Sequence, residues 1–343
     1  MGNRQRIFII GSVAAIVVLA ILVAAYNQLG VYHPNISSAT TERNLLVVTS
    51  VDPIANMIKN VGGDKVDILK IVPDNSDSHT FKLSVTDDII IRTRADLVII
   101  NGLNLETTIE DSAGHSDNPK LRILKLADRT IDREQWVFDN SFPERDGNPN
   151  PHLWLDVQYA INYVKLIHDE LSMADPNNAQ YFDSNAERYL QRLEKLDLSI
   201  LEAVQTIPQE NRKLVTYHDS LPYFANRYGF EVIAAFQPAS FGEPTSDEIS
   251  RIVAQIKAEK VHAIFASEVF PNVITEQIAS QTGVEVVRTL RDDVLPGDLG
   301  ASQHTYVGLM VTDVRTMVAA LGGDASVLEE IDPRNTYDIN SLA

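Results

Sequence analysis

Eight histidines and no cysteine define the chemistry open to this chain of 343 residues. Without cysteine there is no disulfide, no thiolate zinc site, no iron–sulfur cluster and no cysteine nucleophile, so a metal would have to be held by His, Asp or Glu. Three histidines sit in loop-like segments that follow β-branched runs: His79 in PDNSDSHTF, His152 in NPNPHLWLD and His218 in TYHDSLPYF. Two adjacent acids, Asp292 and Asp293, follow another such run in TLRDDVLPG. Open parallel sheets bind ligands beyond the carboxyl ends of their strands, and all four places have that character. His79 and His218 are 139 residues apart, and His152 and Asp293 are 141 apart. Each half of the chain thus supplies two candidates at matching offsets, as a site between two similar domains requires. Three neutral imidazoles and one carboxylate suit a borderline divalent ion, zinc above all; manganese, which prefers more oxygen ligands, is the alternative. Four protein ligands close a tetrahedron and leave no position for a reacting water, so the set is better at holding and surrendering a metal than at catalysis.

The other histidines carry blander expectations. His33 is solvated, His115 lies in an exposed polar loop, and His168 packs or caps within a helical stretch. His262 opens a strand and faces its neighbours, and His304 caps the helix that follows it. The HxxxH pair of metal hydrolases is absent, as are a nucleophile elbow, a phosphate loop and a dinucleotide fingerprint. With 29 basic and 47 acidic side chains the net charge is −18, which argues against nucleic acid as a partner.

The elements that must position these residues are legible as alternating patterns. Buried strands are predicted at 45–50, 66–72, 95–102 and 121–127, and again at 213–217, 230–236, 261–267 and 284–290. Helical patterns at 53–61 and 85–94 separate strands of the first set, and those at 221–228, 246–258 and 272–282 separate strands of the second. This alternation predicts an α/β protein of two similar domains, each a four-stranded parallel sheet with flanking helices. Between them Asp175-Pro176 opens an apolar helical pattern that runs unbroken to Pro208, long enough at roughly 45 Å to link both domains. The expected boundaries are 44–174 for the first domain, 175–208 for the linking helix, 209–325 for the second domain and 326–343 for a polar tail.

Ile7 to Ala25 is a 19-residue run without charge, preceded by Arg4 and Arg6. It reads as an export signal, either an uncleaved membrane anchor, which is favoured, or a signal peptide cleaved after Val23-Ala24-Ala25. Residues 26–43 then read as a polar tether, and the rest of the chain is placed outside the cytoplasmic membrane.

These segments together resemble the metal-receptor family of ABC importers, the solute-binding proteins that capture zinc or manganese outside the membrane. The resemblance covers about residues 44–325 and rests on DSHTF, ADLVIINGLNLE, NPHLWLD, the helix DPNNAQYFDSNAERYLQRLEKLD, TYHDSLPYFANRYGF, SFGEPTSDEI, IFASEVF and DDVL in that order. It implies that His79, His152, His218 and an aspartate hold the metal in the cleft between the domains. Alignment with the family's Asp-Ser-Leu pattern places that aspartate at Asp293, with Asp292 as the alternative. The resemblance further implies no enzymatic activity, an ABC permease as partner, a monomer, and His rather than Glu as third ligand, which favours zinc. Departures are Lys82-Leu83 where the family commonly has Glu-Pro, and the lack of a histidine-rich loop between the first two ligands. Glu243 and Glu268 are candidates to orient imidazole N–H groups from outside the ligand set. Two readings of other classes compete. A secreted zinc hydrolase would use Glu268 as base on a metal-bound water, and a surface adhesion protein would use the metal as a structural brace.

Overall fold

All eight expected runs form strands: short Val-, Ile- and Leu-rich segments pack well in parallel sheets, buried throughout in the inner strands and half-exposed at the edges. A computed structural model describes residues 43–74, 76–267 and 273–337. The first four strands are β1 (Leu45–Thr49), β2 (Val66–Lys70), β3 (Leu97–Ile100) and β4 (Arg122–Lys125). The second four are β5 (Lys213–Thr216), β6 (Glu231–Ala235), β7 (Ala263–Ser267) and β8 (Glu285–Leu290). Every pairing is parallel, and the two sheets share one topology, β2-β1-β3-β4 and β6-β5-β7-β8. In each the strand order reverses beside the first strand, which opens a crevice at its carboxyl end.

The helices are α1 (Asp52–Gly62), α2 (Val85–Thr93), α3 (Thr107–Gly114), α4 (Val157–Ala174), α5 (Ala179–Gln205), α6 (Pro222–Tyr228), α7 (Ser246–Glu259), α8 (Val273–Thr282) and α9 (Tyr306–Ala320). The long helix differs at its start from the expectation. Pro176–Asn178 forms a single 3-10 turn, and the α-helix proper then runs for 27 residues, about 40 Å. Its buried stripe is Phe182, Ala186, Tyr189, Leu193, Leu196, Ile200 and Ala203, spaced three and four apart. That stripe joins the largest apolar core, which also contains Ile54 and Met57 of α1, Tyr163 and Ile167 of α4, and Met310 and Val314 of α9. Helices of both halves therefore hold α5 along its length. A polar cluster fastens it as well: Asp197 accepts hydrogen bonds from Arg227 and from the Tyr228 hydroxyl, the latter at 2.8 Å.

The C-terminal segment is not a free polar extension. Leu328 and Ile331 are buried, Asn335 Oδ1 accepts from the Asn56 and Asn60 amides at 2.9 Å each, and the Thr336 N–H donates to Asn60 Oδ1 at 2.7 Å. Among the described residues no helix is long and apolar enough to cross a membrane. The apolar run at 7–25, and with it the choice between anchor and signal, lies outside the described residues, as does most of the tether.

The SFGEPTSDEI motif has a structural reading at its second half. Thr245 caps α7: its Oγ1 accepts the Glu248 N–H, and Glu248 Oε2 accepts the Thr245 N–H at 2.7 Å. Thr245→Ala is expected to lower stability by about 1 kcal/mol in urea denaturation, with metal affinity unchanged.

Candidate metal centre

Each histidine is placed by a loop that its own neighbours shape. After β2 the backbone continues the ladder through Ile71 and Val72, then turns at Asp77, whose Oδ1 accepts the His79 N–H at 2.8 Å. His152 is set by Asn150, whose Oδ1 accepts the His152 N–H at 3.0 Å and stands 2.8 Å from its ring Nδ1. Asn150 is fixed in turn by donating from Nδ2 to the Asp219 carbonyl at 2.5 Å and to Asp139 Oδ2 at 2.8 Å. The residue before His152 is held too, since Asn101 Nδ2 donates to the Pro151 carbonyl at 2.8 Å. The backbone around Asn101 hangs on the buried Glu106, which accepts the Asn101 and Gly102 N–H groups at 2.9 Å each and the Ser50 hydroxyl at 2.5 Å. His218 is the second residue beyond β5, and its Nδ1 lies 2.6 Å from Asp292 Oδ2.

The three rings converge at Nε2. The His79 Nε2 lies 3.3 Å from that of His152 and 3.1 Å from that of His218, and the donor atoms of the three residues all fall within 4.8 Å of one another. Two nitrogens bound at about 2.0–2.1 Å to a tetrahedral ion stand about 3.3–3.4 Å apart, so one separation matches a tetrahedron's edge and the other is slightly shorter. The protonation pattern agrees with that use. Burial, followed by the charge of His218, drives His79 and His152 well below the ordinary imidazole range, which keeps them neutral donors. His218 goes the other way: burial opposes its charge, but the charge and hydrogen bond of Asp292 outweigh burial and raise it to about 9.

The acids divide their work. Asp292 is engaged by the His218 ring, and its carbonyl accepts the Trp154 indole N–H at 3.0 Å. Asp293 stands outside the converged set of three. Its Oδ1 and Ser78 Oγ are both buried and make no hydrogen bond of good geometry; burial together with the charge of Asp292 raises its carboxyl to about 7, and the adjacent Ser78 hydroxyl offsets only part of that. A buried carboxylate oxygen so poorly supplied with donors is one that a cation would satisfy. Glu243 does not orient an imidazole: it is exposed, and the ring partners are Asn150 and Asp292 instead. Neither was anticipated in that role, since Asn150 reads as part of a Pro-rich turn and Asp292 competes with its neighbour. Glu268 lies outside the described residues.

The remaining histidines stay apart from the site. His115 follows α3, a helix rather than the expected loop, and is exposed. His168 lies between Asp169 and Asp183, with ring contacts at 2.9 and 2.5 Å. His262 is exposed ahead of β7 instead of facing neighbours within it. Thr305, not His304, caps α9: its side chain accepts the Gly308 N–H, while His304 Nδ1 lies 3.2 Å from the Gly297 carbonyl.

Two like-built sheets, bridged by one long helix and facing each other across three converged imidazoles, define a two-lobed solute-binding protein of the metal-receptor class. The chain belongs to the family described as zinc-uptake complex component A, periplasmic, whose model matches residues 47–320. Among its relatives, the manganese-binding lipoprotein MntA of Halalkalibacterium halodurans is 30% identical over 277 residues, 81% of this chain and 88% of that protein. The zinc-binding protein TroA of Treponema pallidum is 30% identical over 288 residues, 82% of this chain and 91% of its own. A solved structure of periplasmic TroA superposes with a TM-score of 0.73 at 29% identity, covering 81% of this chain and 99% of that one.

Proposed function

We propose that this protein captures zinc outside the cytoplasmic membrane, with His79, His152, His218 and Asp293 as its donors, and delivers it to an ABC permease. The observation that carries the reading is the convergence of three Nε2 atoms at separations of 3.1 and 3.3 Å. Three imidazoles and one carboxylate are a zinc donor set before they are a manganese one. Asp293, which stands outside the converged three, moves its buried carboxylate in as the fourth donor when metal binds, and the closed tetrahedron leaves the metal net positive by about one charge. The manganese-binding relative supports the other cargo, so the metal itself must be measured.

Binding in vitro does not decide between the two, because zinc outranks manganese at almost any such site. The deciding experiment is metal analysis of the protein taken from its own cell envelope. One zinc per chain is expected; manganese in its place would overturn the zinc reading. Membrane fractionation with N-terminal sequencing separates the proposed anchor from a cleaved signal, and sedimentation tests the monomer.

Removing the metal should leave the fold intact. The three apolar cores are complete without an ion. Chelation is therefore expected to lower Tm while preserving a cooperative transition and native circular dichroism. Unfolding on chelation would instead favour a structural metal, as in the adhesion reading.

A further inference from the structure

Two aromatic rings close the histidine cluster toward solvent. Phe241 lies face to face with His79, ring centroids 4.7 Å apart and planes 9° apart. Phe142 fills the angle beside them, 5.5 Å from Phe241, 5.3 Å from His79 and 5.9 Å from His152. Outside these rings is a cavity of about 460 Å³ that His79, Phe142 and Phe241 line. His152 and His218 are buried, so an ion arriving from this cavity meets His79 first.

Phe241 keeps this pose under backbone strain. Its φ is 54°, the left-handed region that L side chains rarely adopt and that bulky ones adopt least. Its N–H closes a turn onto the Pro238 carbonyl at 2.8 Å. Strain of this kind persists only where the surroundings hold it, and it gathers at ligand clamps and switches. The turn follows β6 in the second half of the chain, whereas His79 and Phe142 belong to the first, so the ring reaches across the cleft. The opposite wall of the cavity is fastened by polar bonds: the Leu103 N–H donates to Asp128 Oδ2 and Asn104 Nδ2 to Asn148 Oδ1, each at 2.8 Å. The Phe241 ring is stacked on His79 and tilted against Phe142, and it offers a metal no donor atom.

We propose that Phe241 is a gate: its ring, stacked on His79, sets the rate at which metal enters and leaves without setting the affinity. Return of the turn to a relaxed right-handed backbone withdraws the ring and opens the path. The proposal rests on the reading of the histidine cluster as the metal site.

The test follows zinc release from the full chain into an excess of chromophoric chelator, and zinc uptake by the metal-free chain, both by stopped flow. Phe241→Ala is expected to speed both about tenfold, the scale on which one aromatic contact acts, and to leave Kd nearly unchanged. Phe241→Tyr, which keeps the ring, should retain wild-type rates. Phe241→Leu serves if the alanine variant fails to fold, with a smaller acceleration of both rates expected. Wild-type rates in a folded Phe241→Ala or Phe241→Leu protein would overturn the proposal. So would a weaker Kd that arises from faster release alone, because Phe241 would then be a holding contact. The cluster reading fails separately: in that case His152→Ala binds zinc as the wild type does, whatever Phe241 does.

Discussion

Zinc affinity is expected to fall by two to three orders of magnitude in His152→Ala. Apparent zinc binding energies of about 10–16 kcal/mol, shared among four donors, come to roughly 2.5–4 kcal/mol per donor. His152 is the donor least able to be replaced. Its ring is fully buried, neutral, and aimed by Asn150 at Nδ1, so no water or neighbouring side chain stands ready to take its position. The substitution also removes an edge-on contact with Trp154, whose indole N–H ties the first half to the Asp292 carbonyl, so some loss of stability accompanies it. His79→Ala separates the two effects, because His79 is only half-buried and lies on a turn. Competition against a chelator of known affinity, read beside the Tm of each metal-free variant, gives the answer. Wild-type zinc affinity in a folded His152→Ala protein would remove the site assignment.

His79 and His218 were legible because each comes soon after a strand, whereas His152 stands 27 residues past β4, in the Pro-rich turn just ahead of α4. A buried parallel strand leaves an unmistakable run of β-branched residues, and the loop after it has nowhere to go but the crevice. What holds those rings was not legible. Asn150 sits in NPNP, where every residue favours a turn, and nothing in the spacing says that its amide spans the cleft to the Asp219 carbonyl. Asp292 and Asp293 are neighbours, so no periodicity separates the one that grips His218 from the one that stands outside the converged three. The C-terminal segment looked polar because Asn335 and Thr336 are, yet their partners Asn56 and Asn60 lie far away in sequence on α1. Within SFGEP, Phe241 is one aromatic among turn residues, and its role depends on a left-handed backbone and on His79 beneath it. Local pattern finds elements and their ends; contacts made across the cleft are long-range and have no local signature.

Asp292→Asn is the variant in which affinity and proton release should separate. The carboxylate holds the His218 Nδ1–H, which turns Nε2 toward the cluster and raises its basicity. Losing such a partner typically costs 10–100-fold in metal affinity. The same carboxylate raises the folded pKa of His218 to about 9, above the unfolded value of about 6.5. Its contribution to the stability of the metal-free protein is therefore fully present below about pH 6.5 and lost as the pH rises through about 9. At pH 8 the metal-free protein carries that proton, and zinc must displace it from Nε2. His79 and His152 are already neutral there, so about one proton should leave per zinc, not three. The apparent affinity of the wild type should accordingly rise about tenfold per pH unit between about pH 7, below which Asp293 also holds a proton, and about pH 9, and then level off. Asparagine removes the charge, so His218 starts neutral and the proton competition disappears with it. The affinity loss in Asp292→Asn should consequently be greatest above pH 9 and up to about tenfold smaller at pH 8, where relief from the proton offsets weaker donation. Calorimetry in buffers of different ionisation enthalpy reads the proton directly: about one for the wild type at pH 8 and close to none for the variant. An unchanged proton count in Asp292→Asn would mean that the proton leaves from another group, and that Asp292 orients the ring without charging it.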